Sequence, residues 1–257
     1  MIRLDLYGEN FNIKSDWSEL TGHEFLEVQK VCHKSPKKFK DILKAQYAGD
    51  KERLADLELS IREAEKTFPK FYGDFICALS DIPKSSMNKI LKEDRELIFW
   101  EYLYKFAMGC LIAPVDVHPM EEDSFEFKSE KYPQFNGEYF IPKTKKNIMD
   151  EVRMGKISTI QFTESTDLKI SMMTLDEETY HKIFNIVAIL CLKEGEEYDE
   201  DVCLERAEAF RELTMDIVWS VFFYLEVLNI MSKSITESYT RVREAKLTIN
   251  RRLKQQD

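Results

Sequence analysis

From Met215 to Leu253 the chain contains no proline and no glycine, and an apolar rhythm runs through it almost unbroken. Ile217, Val221, Tyr224, Leu228, Met231, Ile235, Ser238, Val242, Ala245, Ile249 and Arg252 follow one another in alternating steps of four and three, and only Ser238 and Arg252 are polar. That spacing is the stripe of a helix packing along one seam. At a rise of about 1.5 Å per residue such a helix is roughly 60 Å long. A globular domain of this size is narrower, so part of the helix is expected to project, and a projecting apolar stripe needs a partner. Its first half, Ile217 to Met231, is widened by Trp219, Phe222 and Phe223 and is expected in the core. Its second half, Ile235 to Leu253, has a narrow stripe flanked by charge, as expected for contact with another chain. Ile235, Val242, Ile249 and Leu253, with Arg251, Arg252 and Lys254 beside them, are the candidate partner-binding residues.

The rest of the composition agrees with a helical protein. Of 257 residues, 44% are hydrophobic and 33% charged, which excludes general disorder and provides enough apolar surface for a sizeable core. Eight glycines and seven prolines are too few for the many tight turns of an all-β fold. The net charge of −10 argues against a general nucleic-acid binder. The charge is uneven, however. Residues 241–257 hold Arg241, Arg243, Lys246, Arg251, Arg252 and Lys254 against only Glu244 and Asp257. A basic tail on an acidic body can touch nucleic acid or an acidic surface of another copy, and its cations also suit a helix C-terminus. The five cysteines form no CxxC pair and sit mostly among apolar residues, so they read as small buried hydrophobes in a reducing compartment. The first residues are not those of a signal peptide, and the most apolar window is too short to span a bilayer. Synthesis in the cytoplasm is the expectation.

Three blocks follow along the chain. Residues 1–114 begin with an alternating strand over 2–7 and continue in helices. Thr21-Gly-His-Glu24 is a capping box for a helix through about Cys32. Pro36 suits the first turn of a helix ending near Ala48, and Asp50 can cap the next, with Leu54, Leu57, Ile61 and Ala64 as its stripe. Pro69 and Asp81-Ile-Pro83 open two more, and Glu93 to Ile112 makes a sixth. Residues 115–171 gather prolines, glycines and β-like runs: Phe125–Phe127, Glu138–Ile141 and Ile157–Phe162, with Asn136-Gly137 as a hairpin signal. They predict a small twisted sheet that the N-terminal strand can join, packed on helices, with a short helix over Asn147–Met154. Residues 172–257 return to helix: Asp176 to about Leu192 with Gly195 as its C-terminal cap, Asp201 to Leu213, then the long terminal helix. The fold class is therefore mainly α, a multi-helix domain with a small central β element and a long C-terminal helix.

Chemistry is harder to find. None of His23, His33, His118 and His181 has a partner at the spacing of a strong metal motif. The acidic run Glu194 to Asp201 lacks the spacing of a calcium loop and reads as capping and dipole compensation for the helix that follows. The chain has no glycine-rich phosphate loop and no GxSxG elbow, and no nucleophile, base and oxyanion site assembles from the sequence. A non-enzymatic protein with no catalytic residues, cofactor or metal is the expectation.

Two stretches carry a resemblance. One comprises Asp16-Trp-Ser-Glu-Leu-Thr21 with Phe25, then Cys77-Ala-Leu-Ser-Asp-Ile-Pro83 and Met87. The other comprises Phe135-Asn-Gly-Glu-Tyr139 with Pro142, Ala188-Ile-Leu-Cys191, Gly195-Glu, Tyr198-Asp-Glu200, Arg206, Phe210 and Phe222-Phe223. Together they cover about two-thirds of the chain. The order of these motifs resembles small structural or tail-assembly proteins of tailed phages that infect Bacteroidota, the crAss-like phages among them. The resemblance implies a non-enzymatic, largely helical protein in virion assembly. With the long helix, whose projecting stripe a ring subunit can bury against its neighbour, the expectation is a virion structural protein, an oligomeric ring component of the head-tail connector or tail. Its partners would be other copies of itself and other phage structural proteins, with nucleic acid in reach of the basic tail, and with neither membrane nor small-molecule substrate. A transient tail-assembly chaperone and a helical nucleic-acid-binding regulator are the alternatives.

Overall fold

A computed structural model describes residues 1–6, 8–34, 41, 42, 45, 48–58, 62, 68–93, 124–141, 159–172 and 179–225. These residues are mostly helical, with two small antiparallel sheets of two strands each. Strands β1 (Ile2–Leu6) and β2 (Glu9–Ile13) form an N-terminal hairpin in which Leu6 faces Glu9. Gly8 turns the chain between them at φ +81°, a conformation a side chain would disfavour. Helix α1 (Gly22–His33) follows, then α2 (Lys51–Asp56), α3 (Phe68–Leu79) and α4 (Lys84–Glu93). Strands β3 (Ser124–Phe127) and β4 (Gly137–Phe140) make the second hairpin. Helices α5 (Thr159–Met172), α6 (Lys182–Leu190) and α7 (Glu200–Ala209) precede α8, helical over residues 215–225.

Several helix starts are set by the residues the sequence points to. Thr21 and Glu24 form the full capping box on α1, each side chain bonding the other's backbone N–H. Asp50 accepts from the Arg53 N–H at 2.9 Å and starts α2, whose Leu57 joins Ile42 and Ala45 in a small satellite cluster. Asp199 accepts from the Val202 N–H at 3.1 Å and starts α7. The β runs at 125–127 and 138–140 are strands, as their alternation predicts.

Other expectations are corrected. The N-terminal strand does not join the central hairpin; it pairs with β2, whose Phe11 and Ile13 face the core while Asn10 and Asn12 face out. Of the run Ile157–Phe162 expected as a strand, Thr159 to Phe162 are helical, and Ile157 and Ser158 lie outside the described residues. Asn136-Gly137 is not a two-residue hairpin turn. It ends the longer connection between β3 and β4, with the Asn136 side chain accepting from the Ser129 N–H at 2.7 Å. The helix expected from Asp176 begins at Lys182 and ends at Leu190, with Cys191 rather than Gly195 as its cap; Gly195 sits in the turn beyond. The helices expected at 93–112 and 147–154, Ile61 and Ala64, and the terminal helix beyond Leu225 lie outside the described residues.

The centre of the molecule is α6. Ile183, Phe184 and every residue from Ile186 to Leu190 are buried, so this helix is apolar over most of its circumference, with Lys182 and Asn185 as its polar residues. It packs against α5 and α7 and against the tight turn over Phe210–Glu212. One core cluster joins side chains from β2, α1, α3, α4, both strands of the second hairpin, α6, α7 and α8, so described parts of all three sequence blocks share one interior.

A short seam closes this core. Gly22 N–H donates to the Leu213 carbonyl at 2.9 Å, and Met215 N–H donates to the Leu20 carbonyl at 2.8 Å, so Thr21 and Thr214 bridge antiparallel. Beside the seam, Trp17, Phe25 and Trp219 meet edge to face with ring centroids 5.7–6.3 Å apart. Val218, Val221, Tyr224 and Leu225 of α8 are buried, and Phe222 and Phe223 pack against the core, as the widened apolar face predicts for this part of the helix.

Candidate partner-binding surface

The best-formed concavity with one charge sign lies over α6. Helices α5 and α7 flank it, and the three enclose a groove of about 330 Å³. Its floor is Asn185 and Ile189, one turn apart on α6. One wall is the α5 stripe Glu164, Asp167 and Leu168; the other is the α7 stripe Glu200, Cys203 and Leu204. Both sets recur at three and four residues, so each is a single helix face. Ile189, Leu168, Cys203 and Leu204 supply its apolar lining, Asn185 a polar amide on the floor, and the three charged lining residues are all acids.

The sequence holds α5 in place by an unusual face. Gln161 and Ser165, one turn apart, are buried against α6, and the Gln161 side-chain amide donates to the Ile189 carbonyl at 2.7 Å. At the rim the Tyr198 hydroxyl donates to the Glu164 carboxylate, tying the α7 approach to α5. Burial, then the carboxylate that accepts its proton, push the Tyr198 phenol well above its ordinary value. Burial also lifts the Cys203 thiol to about 11, so it lines the groove as a neutral, apolar group.

Helix α7 is pinned from the other side by Arg206, which is 1% exposed. Its guanidinium pairs with Glu196 and donates to the Ala188 and Cys191 carbonyls at 3.3 and 3.2 Å, which reads out the C-terminal end of α6. It also lies over the Tyr139 ring, 5.1 Å from the centroid, while Phe210 meets the same ring edge-on at 4.9 Å. Tyr139 in turn donates to the Phe135 carbonyl at 2.7 Å, and burial raises its phenol to about 12. The second hairpin is thereby locked to α6 and α7, with Phe140 N–H bonding the Leu192 carbonyl at 3.0 Å.

A second groove of about 510 Å³ lies between α1, α3 and the start of α4. Glu27 and Asp74 there alternate with Lys34, Lys70 and Lys84, so its charge is mixed. Among the described residues no group of three His, Cys, Asp or Glu is placed to hold a metal, and no helix is long and apolar enough to cross a membrane.

The predicted partner-binding residues Ile235, Val242, Ile249, Leu253, Arg251, Arg252 and Lys254 lie outside the described residues. Of the acidic run, Asp199 is the cap expected of it, but Glu196 serves Arg206 instead. The groove and the Arg206 anchor are absent from the sequence reading. An arginine at the heart of an otherwise ordinary helix, three residues after a cysteine, carries no local sign that it is buried. No protein family, curated protein or solved structure matches the chain.

Proposed function

We propose that this chain is a non-enzymatic structural subunit of a tailed-phage particle, an oligomeric component of the head-tail connector or tail that contacts its neighbours through its C-terminal helix. The observation that carries the reading is the way that helix starts. Residues 215–225 are helical and anchored among Trp17, Phe25 and the core, and the sequence then continues without proline or glycine into a stripe that narrows from core width to seam width. A rigid body with an arm of this kind suits a ring, where each subunit buries its stripe against the next. The motif order that resembles structural and tail-assembly proteins of Bacteroidota phages supplies the setting, which implies assembly in the host cytoplasm and residence in the virion. Peptide mass spectrometry of purified particles tests it: a structural subunit is present in many copies per particle. Absence from the particle, with the protein abundant in the infected cell, would instead establish a transient assembly factor.

A further inference from the structure

We propose that the acidic groove between α5 and α7 is the receptor for the basic C-terminal arm, residues 235–254, of a second copy of this chain. This rests on the reading above, since it names the surface that a neighbour's arm occupies. Two helix walls over a third helix form the kind of trough into which an amphipathic helix lays its apolar face. The groove offers apolar contacts: Ile189 on the floor, Leu168 on one wall and Leu204, 50% exposed, on the other. The arm offers Ile235, Val242 and Ile249 at seven-residue spacing, which a straight helix presents on one side.

Charge selects between the two grooves and fixes the partner. Asp167 and Glu200 stand exposed on opposite walls, and Glu164, half-buried, adds a third carboxylate beside Asp167. Lys169, two residues from Asp167, lies on a different face of α5. Residues 241–254 carry six Arg or Lys against Glu244 alone. A basic helix seated between two acidic rims gains orientation and on-rate from this match, whereas the mixed-charge groove beside α1 offers it no such preference. The sequence predicts an unbroken helix, which would set Ile235 to Leu253 about 15–42 Å beyond Leu225 along its axis. In the proposed assembly such an arm leaves its own body and meets the groove of a neighbour. A contact of arm to groove is heterologous, and successive copies related by a rotation close into a ring.

Charge reversal on both sides tests this with the full-length protein. Asp167→Arg with Glu200→Arg changes only exposed groove positions; Arg251→Glu with Arg252→Glu changes only the arm. Circular dichroism and thermal melting establish that each variant keeps the wild-type fold, and light scattering after size exclusion reads the mass. The expected result is that each double variant alone loses the oligomer or needs at least about tenfold more protein to form it, while an equimolar mixture of the two restores it, because the two rims then meet positions 251 and 252 of opposite charge in every pairing between the variants. If the groove variant assembles as wild type while Val242→Asp with Ile249→Asp abolishes assembly, the arm binds elsewhere and the receptor assignment is overturned with the subunit reading intact. If the Val242, Ile249 variant also assembles normally, or the wild type is a monomer at all concentrations, both readings fall. Failure of the mixture to restore assembly overturns the pairing.

Discussion

Gly22 and Arg206 show how single positions fix the architecture. A Cβ on Gly22 would stand 2.6 Å from Phe184 Cζ and 2.9 Å from the Arg211 carbonyl oxygen, with backbone on one side and a buried ring on the other. Neither neighbour can yield cheaply, so Gly22→Ala should lower the stability by about 1–3 kcal/mol, as overpacking does, measured by urea denaturation at constant m-value. Glu196 is the only carboxylate recorded on the buried Arg206 guanidinium among the described residues. Removing it strands a desolvated cation, so Glu196→Ala should cost about 3 kcal/mol or more, whereas changing the exposed Glu197 should be near neutral; the two midpoints compared in urea decide the matter. Neither requirement is legible from the residues alone. Thr21-Gly-His-Glu announces a helix cap, but nothing local says that the glycine also admits Phe184 from a helix more than 150 positions later. The groove shares this difficulty: its six wall residues come from two helices, and only the packing of both on α6 brings them together.

At the scale of elements, legibility follows the chemistry of the buried face. Phe125–Phe127 and Glu138–Phe140 alternate cleanly, and both are strands. Glu9–Ile13 alternates too, but its outward residues are asparagines, poor strand formers that hide the pattern. Helix α5 hides for the opposite reason. It turns Gln161 and Ser165 inward, so it lacks an apolar stripe, and its β-branched start at Thr159-Ile160 imitates a strand. Among the carboxylates that tie the N-terminal hairpin to its neighbours, Asp81 and Glu24 have lowered pKa values. Asp81 accepts from the Asn12 N–H at 2.8 Å and from its side chain at 3.0 Å. Glu24 pairs with Lys14, just past β2. The Asn12 backbone N–H holds Asp81 below its ordinary value. Partial burial would raise Glu24, but the Lys14 ammonium and the Thr21 N–H and hydroxyl outweigh it and the net shift is down. With both folded values depressed, the stabilisation is present above the unfolded values, 3.8 and 4.5, and is lost as pH falls through the lower folded ones. Amide exchange should therefore show the β1–β2 hairpin losing protection between pH 5 and 3, within the range of about 5 to 1 over which such carboxylates are protonated. Glu24→Gln should reduce that pH dependence and leave the protection of α6 unchanged.

For the molecule as a whole, the described residues account for the body and the sequence alone for the arm. Val242 and Ile249 lie where the stripe is narrow, so Asp at both positions should leave the melting temperature of the body within a few degrees of wild type. Each of the two side chains gives up about 1.5–3 kcal/mol of burial at every contact, which is enough to abolish a ring held by repeated copies of one interface. Light scattering reads the assembly and calorimetry reads the fold. A variant that is unfolded, or one that still assembles, would remove the arm from the interface.

The seam between Leu20–Gly22 and Leu213–Met215 also sets a schedule for biosynthesis. Thr21 meets Thr214 only after the 192 positions between them have been added, and Trp17 and Phe25 wait for Trp219. At about 5–20 residues per second a ribosome needs roughly 10–40 s to cover that distance. Throughout that interval the α1 segment lacks the ring that covers Phe25 in the finished fold, and a helix of twelve residues is marginal in water without such packing. In the proposed assembly the residues that complete the interior also begin the arm, so closing the body and presenting the arm would be one event.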